Sequence, residues 1–209
     1  MQIDQSEIVF WDFDGVIKDS VAVKTKAFEA LFQPYGEDVV AKVRAHHEAN
    51  GGMSRFDKLP LYLRWANQLA SDEQVALFCK HFSEGVLQGV IDSPWVVGVR
   101  EYLLAHCTHR YFVLLTATPQ EEIVYIIDRL GITHCFREVH GAPKKKTDVI
   151  AAVLEQQGVA PRNAFMIGDA EADLLAAEAN AVPFLLRRTS INQNLQASYA
   201  GPQFDIFKT

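Results

Sequence analysis

Three times in this chain an apolar run breaks off against a single acidic or hydroxyl residue. SEIVFW (6–11) ends at Asp12, YFVLL (111–115) at Thr116 and AFMIG (164–168) at Asp169. An uninterrupted apolar run of that length suits a parallel strand buried on both faces, with the polar residue at its C-terminal end. A fourth run, VPFLL (182–186), follows, and segments of helical spacing at 97–107, 119–130, 145–157 and 170–179 lie between or beside the runs. Strands alternating with helices of that length predict an α/β fold built on a doubly wound parallel sheet. Ligands of such sheets bind outside the carboxyl ends of the strands, which is where these polar residues fall.

The stretch 20–91 reads differently. Phe28, Leu31 and Phe32, then Val39, Val40 and Val43, then Leu59, Leu61, Leu63 and Trp65, then Val75, Leu77, Phe78 and Phe82 recur at helical spacings with no strand-like run among them. This predicts an all-α insertion of about four helices after the first strand, dividing the chain into a core of 1–19 and 92–209 and an inserted unit of 20–91. Lys18-Asp19-Ser20 and Asp92-Ser93-Pro94 are polar, turn-prone junctions at its two ends, placed to act as hinges of a lid over the strand ends.

Composition narrows the class. With 49% hydrophobic and 22% charged residues in 209, the chain has apolar material for one sizeable core or a core with a satellite. No stretch approaches the ~20 apolar residues of a membrane span, and MQIDQSEIVFWDFDG lacks the basic and apolar regions of a signal peptide. Cys79, Cys107 and Cys135 are odd in number and widely spaced, the pattern of reduced, half-buried thiols rather than of disulfides or zinc ligands. The net charge of -6 speaks against nucleic acid as a partner, although a bound metal or a few local cations still allow an anionic substrate. The expectation is a cytoplasmic monomer or homodimer with no membrane and no nucleic-acid partner.

Four polar signals stand at the predicted strand ends: Asp12-Phe13-Asp14-Gly15, Thr116, the lysines 144–146, and Gly168-Asp169 with Asp173. Each alone has an ordinary reading, as a solvated turn, a helix cap, a charged face or an acid-rich helix start. In this order, FWDFDGVI (10–17), LLTAT (114–118), GAPKKK (141–146) and IGDAEAD (167–173) resemble the motifs of the haloacid dehalogenase superfamily, in its phosphatase and β-phosphoglucomutase-like branch with a helical cap. The resemblance covers the whole chain, and its first and fourth motifs are the specific ones. It implies a Rossmann-like core, a magnesium-dependent phosphoric monoester hydrolase and a small phosphorylated metabolite as substrate.

The resemblance also assigns roles. Asp12 is the nucleophile that forms an aspartyl-phosphate; Asp14 is the general acid and base, with its proton affinity raised by neighbouring carboxylates. Thr116 donates to the transferring phosphoryl group and a lysine neutralises its charge. The third motif has Ala142 where many relatives carry the lysine, so Lys146 takes the role, with Lys144 as the alternative. Mg2+ would be held by Asp12, the main-chain carbonyl of Asp14, and Asp169, with Asp173 behind them. Gly51-Gly52-Met53-Ser54-Arg55 looks like the substrate loop of such caps, placing Gly52, Ser54 and Arg55, together with Ala117, among the substrate-binding residues. Ser54 also reads as a helix N-cap. Lys18 and Lys24 would add positive field at the cleft, and His46 and His47 read as surface residues of the cap. The rival functions are a phosphomutase, phosphonate cleavage through a cap lysine such as Lys58, haloalkanoate dehalogenation, which has no use for Asp14 or the fourth motif, and a non-catalytic metabolite-binding role.

Overall fold

The computed structural model describes residues 2–207. Strand β1 (Ile8–Trp11) is followed by four helices, α1 (Val21–Phe32), α2 (Glu37–Ala49), α3 (Arg55–Trp65) and α4 (Asp72–Asp92). The chain then alternates: α5 (Val99–His106), β2 (Tyr111–Pro119), α6 (Gln120–Arg129), β3 (Glu138–Ala142), α7 (Lys146–Gln157), β4 (Ala164–Gly168), α8 (Glu171–Ala179), β5 (Phe184–Arg187), α9 (Gln193–Ser198) and β6 (Gln203–Phe204). The strands form one sheet of order β3-β2-β1-β4-β5-β6, and every pairing between neighbours is parallel. This is the doubly wound α/β architecture, with β1 at the centre.

Alternation along each strand sends side chains to two faces. Val9, Trp11, Phe112, Leu114, Phe165 and Ile167 join one apolar cluster, with α5 and α6 contributing Tyr102, Leu103, Ile123 and Ile126. Ile8, Phe10, Val113, Leu115 and Met166 join the opposite one, covered by Ile150 and Val153 of α7 and by Ala176 and Ala177 of α8. Burial on both faces is why β1, β2 and β4 read as continuous apolar runs. β3 does not, because it is the sheet's edge: Glu138 and His140 alternate with Val139 and are half-buried.

The helices α1 to α4 interlock through aromatic rings. Phe28 of α1 meets Phe82 of α4 at 4.0 Å between centroids and the edge of Tyr62 of α3 at 5.4 Å. Phe32 meets Phe78 at 5.5 Å. Each such buried ring contributes about 1.5–3 kcal/mol. These residues belong to the same apolar cluster as the α5/α6 face of the sheet, so the helical segment packs continuously onto the core. Ser54 and Ser71 cap α3 and α4, accepting hydrogen bonds from the backbone N–H groups of Phe56 (3.2 Å) and Gln74 (3.3 Å). No helix among the described residues is long and apolar enough to cross a membrane.

Candidate active site at the carboxyl end of the sheet

The sheet order places the ends of β1 and β4 side by side, and this brings the acidic residues together. Asp12 follows β1, and its N–H donates to the carbonyl of Ile167 at 2.9 Å, fastening it to β4. Its carboxylate is buried. Beyond Asp12 the chain doubles back: the N–H of Ile17 donates to Phe13 O (2.9 Å) and that of Gly15 to Lys18 O (2.7 Å). Gly15 has φ +80°, and a Cβ there would lie 2.1 Å from Asp169 Oδ2. Only glycine permits both the left-handed turn and the approach of the second carboxylate.

Asp173, fully buried at the start of α8, is the organiser. Its Oδ2 accepts from the N–H groups of Asp169 (3.2 Å) and Ala170 (3.1 Å), which fixes the turn out of β4. Its Oδ1 receives Lys146 Nζ at 2.5 Å. Lys146 also donates to Asp12 Oδ1 at 2.5 Å, so one ammonium bridges two carboxylates. Lys144, by contrast, is exposed, with Nζ 3.3 Å from His140 Nδ1. Gly168 gives Asp173 room, since a Cβ there would lie 2.3 Å from its Cβ.

Asp12, Asp169 and Asp173 each offer a carboxylate oxygen, all within 4.8 Å of one another and all buried. Lys146 is the cation among them, so negative charge is in excess. Burial, reinforced by Asp173 and Asp14 and opposed by Lys146, pushes Asp12 up to about 7. Burial and the Asp12 charge hold Asp169 well above the carboxylate range. Lys146 is held above its ordinary value by Asp12 and Asp173, which outweigh burial. Three hard oxygen donors carrying surplus charge fit a divalent cation of the magnesium type.

Asp14 turns the other way. Its Oδ1 accepts from Ser20 Oγ at 2.6 Å; its Oδ2 accepts from Thr118 Oγ1 at 3.2 Å and pairs with Lys24 of α1. The expectation of a raised Asp14 is therefore corrected. Burial does push it up, but Lys24, Ser20 and Thr118 outweigh that and hold the carboxyl below its usual range. Lys24 also donates to Thr118 Oγ1 at 2.8 Å. Thr116 is buried, and its Oγ1 accepts from the Thr118 N–H at 3.1 Å.

Asp12, Asp14, Thr116, Ala117 and Asp169 line a cavity of about 260 Å³ shared with Phe28, Met53 and Phe82 of the helical segment. The 51–55 loop forms part of its wall, and the closest approach of its glycines is to the core. Cβ atoms at Gly51 and Gly52 would lie 3.1 Å and 3.0 Å from the methyls of Ala170 and Ala172, next to Asp169. Ser54 caps α3. The guanidinium of Arg55, 5% exposed, grips Glu122 of α6 through two hydrogen bonds of 2.8 and 2.9 Å and Ser83 at 2.6 Å. It lies 4.5 Å from the Phe82 ring centroid.

Three further placements depart from expectation. His47 is buried and lines the cavity, where its Nδ1 stands 2.9 Å from Lys58 Nζ, while His46 reaches Tyr62 Oη at 3.0 Å. Amphipathicity brings His47 inside: α2 buries Val43 and, one turn on, His47. Lys18 does not line the cavity: it is buried, with Nζ bonded to Ile91 O at 3.0 Å and lying over the Trp95 ring. Cys107 and Cys135 are buried, with ligand atoms within 4.8 Å of each other and of His134. Ser20, Thr118 and Glu122 escape a reading of the sequence, since nothing in their local spacing signals partners that are distant in the chain or specified by side-chain orientation.

Residues 7–180 match the family model of haloacid dehalogenase-like hydrolases. A phosphoglycolate phosphatase from Photobacterium profundum is 28% identical over 189 residues, covering 85% of this chain and 81% of that protein. One from Aliivibrio fischeri is 26% identical over 186 residues, covering 83% and 80%. In fold, the crystal structure of β-phosphoglucomutase from Clostridium difficile superposes with a TM-score of 0.76 over 96% of this chain and 91% of that one, at 22% identity.

Proposed function

Because the chain belongs to the haloacid dehalogenase-like hydrolases and is a phosphoric monoester hydrolase, we propose that it is a magnesium-dependent phosphatase of a small phosphorylated metabolite, with Asp12 as nucleophile. The observation that carries this reading is the buried trio of Asp12, Asp169 and Asp173, with Lys146 bridging Asp12 and Asp173, at the carboxyl ends of β1 and β4. Magnesium held by Asp12, Asp169 and the Asp14 carbonyl would screen the repulsion between the nucleophile and an anionic ester.

The chain's own groups then divide the work. An Asp12 oxygen attacks phosphorus, the bond from phosphorus to the ester oxygen breaks, and the leaving oxygen takes a proton from Asp14. Asp14 next removes a proton from water, whose oxygen attacks the aspartyl-phosphate, releasing inorganic phosphate and restoring Asp12. Asp14 is ionised beside Lys24, which suits it to the second half. The first half requires the incoming anion to draw Lys24 away, returning the carboxyl toward protonation. Lys146 and the Thr116 hydroxyl steady the phosphoryl oxygens, and Asp173 holds Lys146 in place.

The segment 20–91 serves as the cap that closes the cavity, with Gly52 and Ala117 against the substrate. Arg55 fastens cap to core through Glu122. A phosphomutase would use the same trio, but the two curated relatives described above, each matching more than four fifths of the chain, are phosphatases. A screen of phosphorylated sugars, nucleotides and short acids, measuring phosphate release with and without magnesium, tests the reading. Release from one class above the rest, abolished by chelator, is expected; no release from any class refutes it.

A further inference from the structure

The cations that line the cavity are nearly all spoken for. Lys24 is paired with Asp14 and Arg55 with Glu122, while Lys146, which reaches the site from α7, holds Asp12 and Asp173. Lys58 is different. It projects from α3 into the cavity and is 2% exposed, and it forms no ion pair among the described residues; its hydrogen-bonding contact is His47 Nδ1 at 2.9 Å. The other ring nitrogen, Nε2, is buried without a partner among the described residues.

We propose that Lys58 and His47 form a subsite for a carboxylate on the substrate, so that the enzyme acts on phosphate esters of short hydroxy acids. The proposal rests on the phosphatase reading and adds the chemistry of the substrate's other end.

An ammonium has donors only, so a charged Lys58 requires His47 Nδ1 to accept, which puts the proton of a neutral imidazole on Nε2. The ring is kept neutral: burial, with Lys58 and Lys24 beside it, drives it down to about 2. Two sets of buried donors, the free N–H bonds of Lys58 and the Nε2–H of His47, therefore lack acceptors among the described residues, and buried donors call for one. Burial and Lys24, opposed by Asp14, bring Lys58 down to about 7, so an arriving anion readily completes its charge.

Charge selects the kind of anion, and the cavity has room for it. One unpaired cation balances one negative charge, which suits a carboxylate better than a second phosphate dianion, and Glu48 and Glu171, which also line the cavity, oppose further negative charge. The cavity, of about 260 Å³, accommodates a phosphoryl group at Asp12 together with a short linker to a carboxylate.

The test compares phosphoglycolate with ethyl phosphate, which has a methyl in place of the carboxylate. Wild-type protein is expected to favour the acid by roughly ten- to a hundredfold in kcat/KM, with Lys58→Met erasing most of that ratio and His47→Gln part of it, through KM rather than kcat. Calorimetric binding of both esters to Asp12→Asn protein needs neither turnover nor a Lys58 variant that folds, and should show the same preference. Equal binding of the two esters there, or a preference that survives in folded Lys58→Met, overturns the subsite. Capture of a phosphorylated aldehyde on Lys58 by borohydride reduction would also overturn it, by making the amine a covalent catalyst. Absence of phosphate release from these esters and from every class in the screen, with the binding preference intact, would instead remove the phosphatase reading and leave the subsite standing.

Discussion

Replacing Arg55 by Met should unsettle the protein far more than a surface arginine would, and a double-mutant cycle with Glu122 measures why. Their side chains are 4% and 8% exposed and meet through two hydrogen bonds. Truncating one partner leaves the other as a buried, uncompensated charge, a loss of about 3–5 kcal/mol. Each kcal/mol shifts the melting temperature of a chain of this size by roughly 2–4 °C, so Arg55→Met should melt roughly 6–20 °C lower. Glu122→Leu alone should cost a similar amount. Removing both charges together relieves most of the penalty, because a buried pair replaced by apolar side chains is often neutral. The double variant should therefore lie well above the sum of the single losses, with a coupling of about 2 kcal/mol or more. Urea denaturation of the four proteins gives the numbers. Strict additivity would show that Arg55 does not hold Glu122 in solution, freeing its guanidinium for the substrate and removing the fastening role assigned above.

Lys58→Met should stabilise the protein, by an amount that depends on pH. The folded-state value of about 7 lies below that of an unfolded lysine, so the unfolded chain binds the extra proton between about pH 7 and 10.5. The wild-type penalty, on the order of 4 kcal/mol below pH 7, thus fades as pH rises through that window; parallel stability curves for the two proteins would contradict this. Gly15→Ala should lose magnesium affinity and about 1–2 kcal/mol of stability, since its φ and the 2.1 Å approach to Asp169 both exclude a Cβ; calorimetric titration and melting would check it. Asp169→Ala should weaken magnesium binding by on the order of a hundredfold with a modest effect on melting, whereas Asp173→Ala should cost about 3 kcal/mol of stability by freeing two backbone N–H groups and Lys146. The reverse ordering would contradict the division of labour between the two. Calcium should compete with magnesium and inhibit.

The parts of the molecule legible in its sequence are those where local pattern and burial coincide. β1, β2 and β4 are buried on both faces, and the acidic or hydroxyl residue ending each run marks the site. The edge strand β3 and the two-residue β6 carry no such run, so their places in the sheet emerge only from pairing. Contacts that join distant helices are hidden for the same reason. Nothing at Glu122 announces Arg55, and nothing at His47 announces Lys58, because each partnership depends on how α2, α3, α4 and α6 pack. Asp14 shows the cost of reading charge locally: the carboxylate of Asp12 stands two residues before it, yet Lys24, ten residues on, with Ser20 and Thr118, outweighs burial and keeps it ionised.

The claim on which everything else depends is that Asp12 takes the phosphoryl group. With magnesium and the best ester from the screen, Asp12→Asn should keep the wild-type circular dichroism spectrum and lose phosphate release by several decades, roughly 10⁴-fold or more. Phosphate release within about tenfold of wild type from that folded variant would contradict the account.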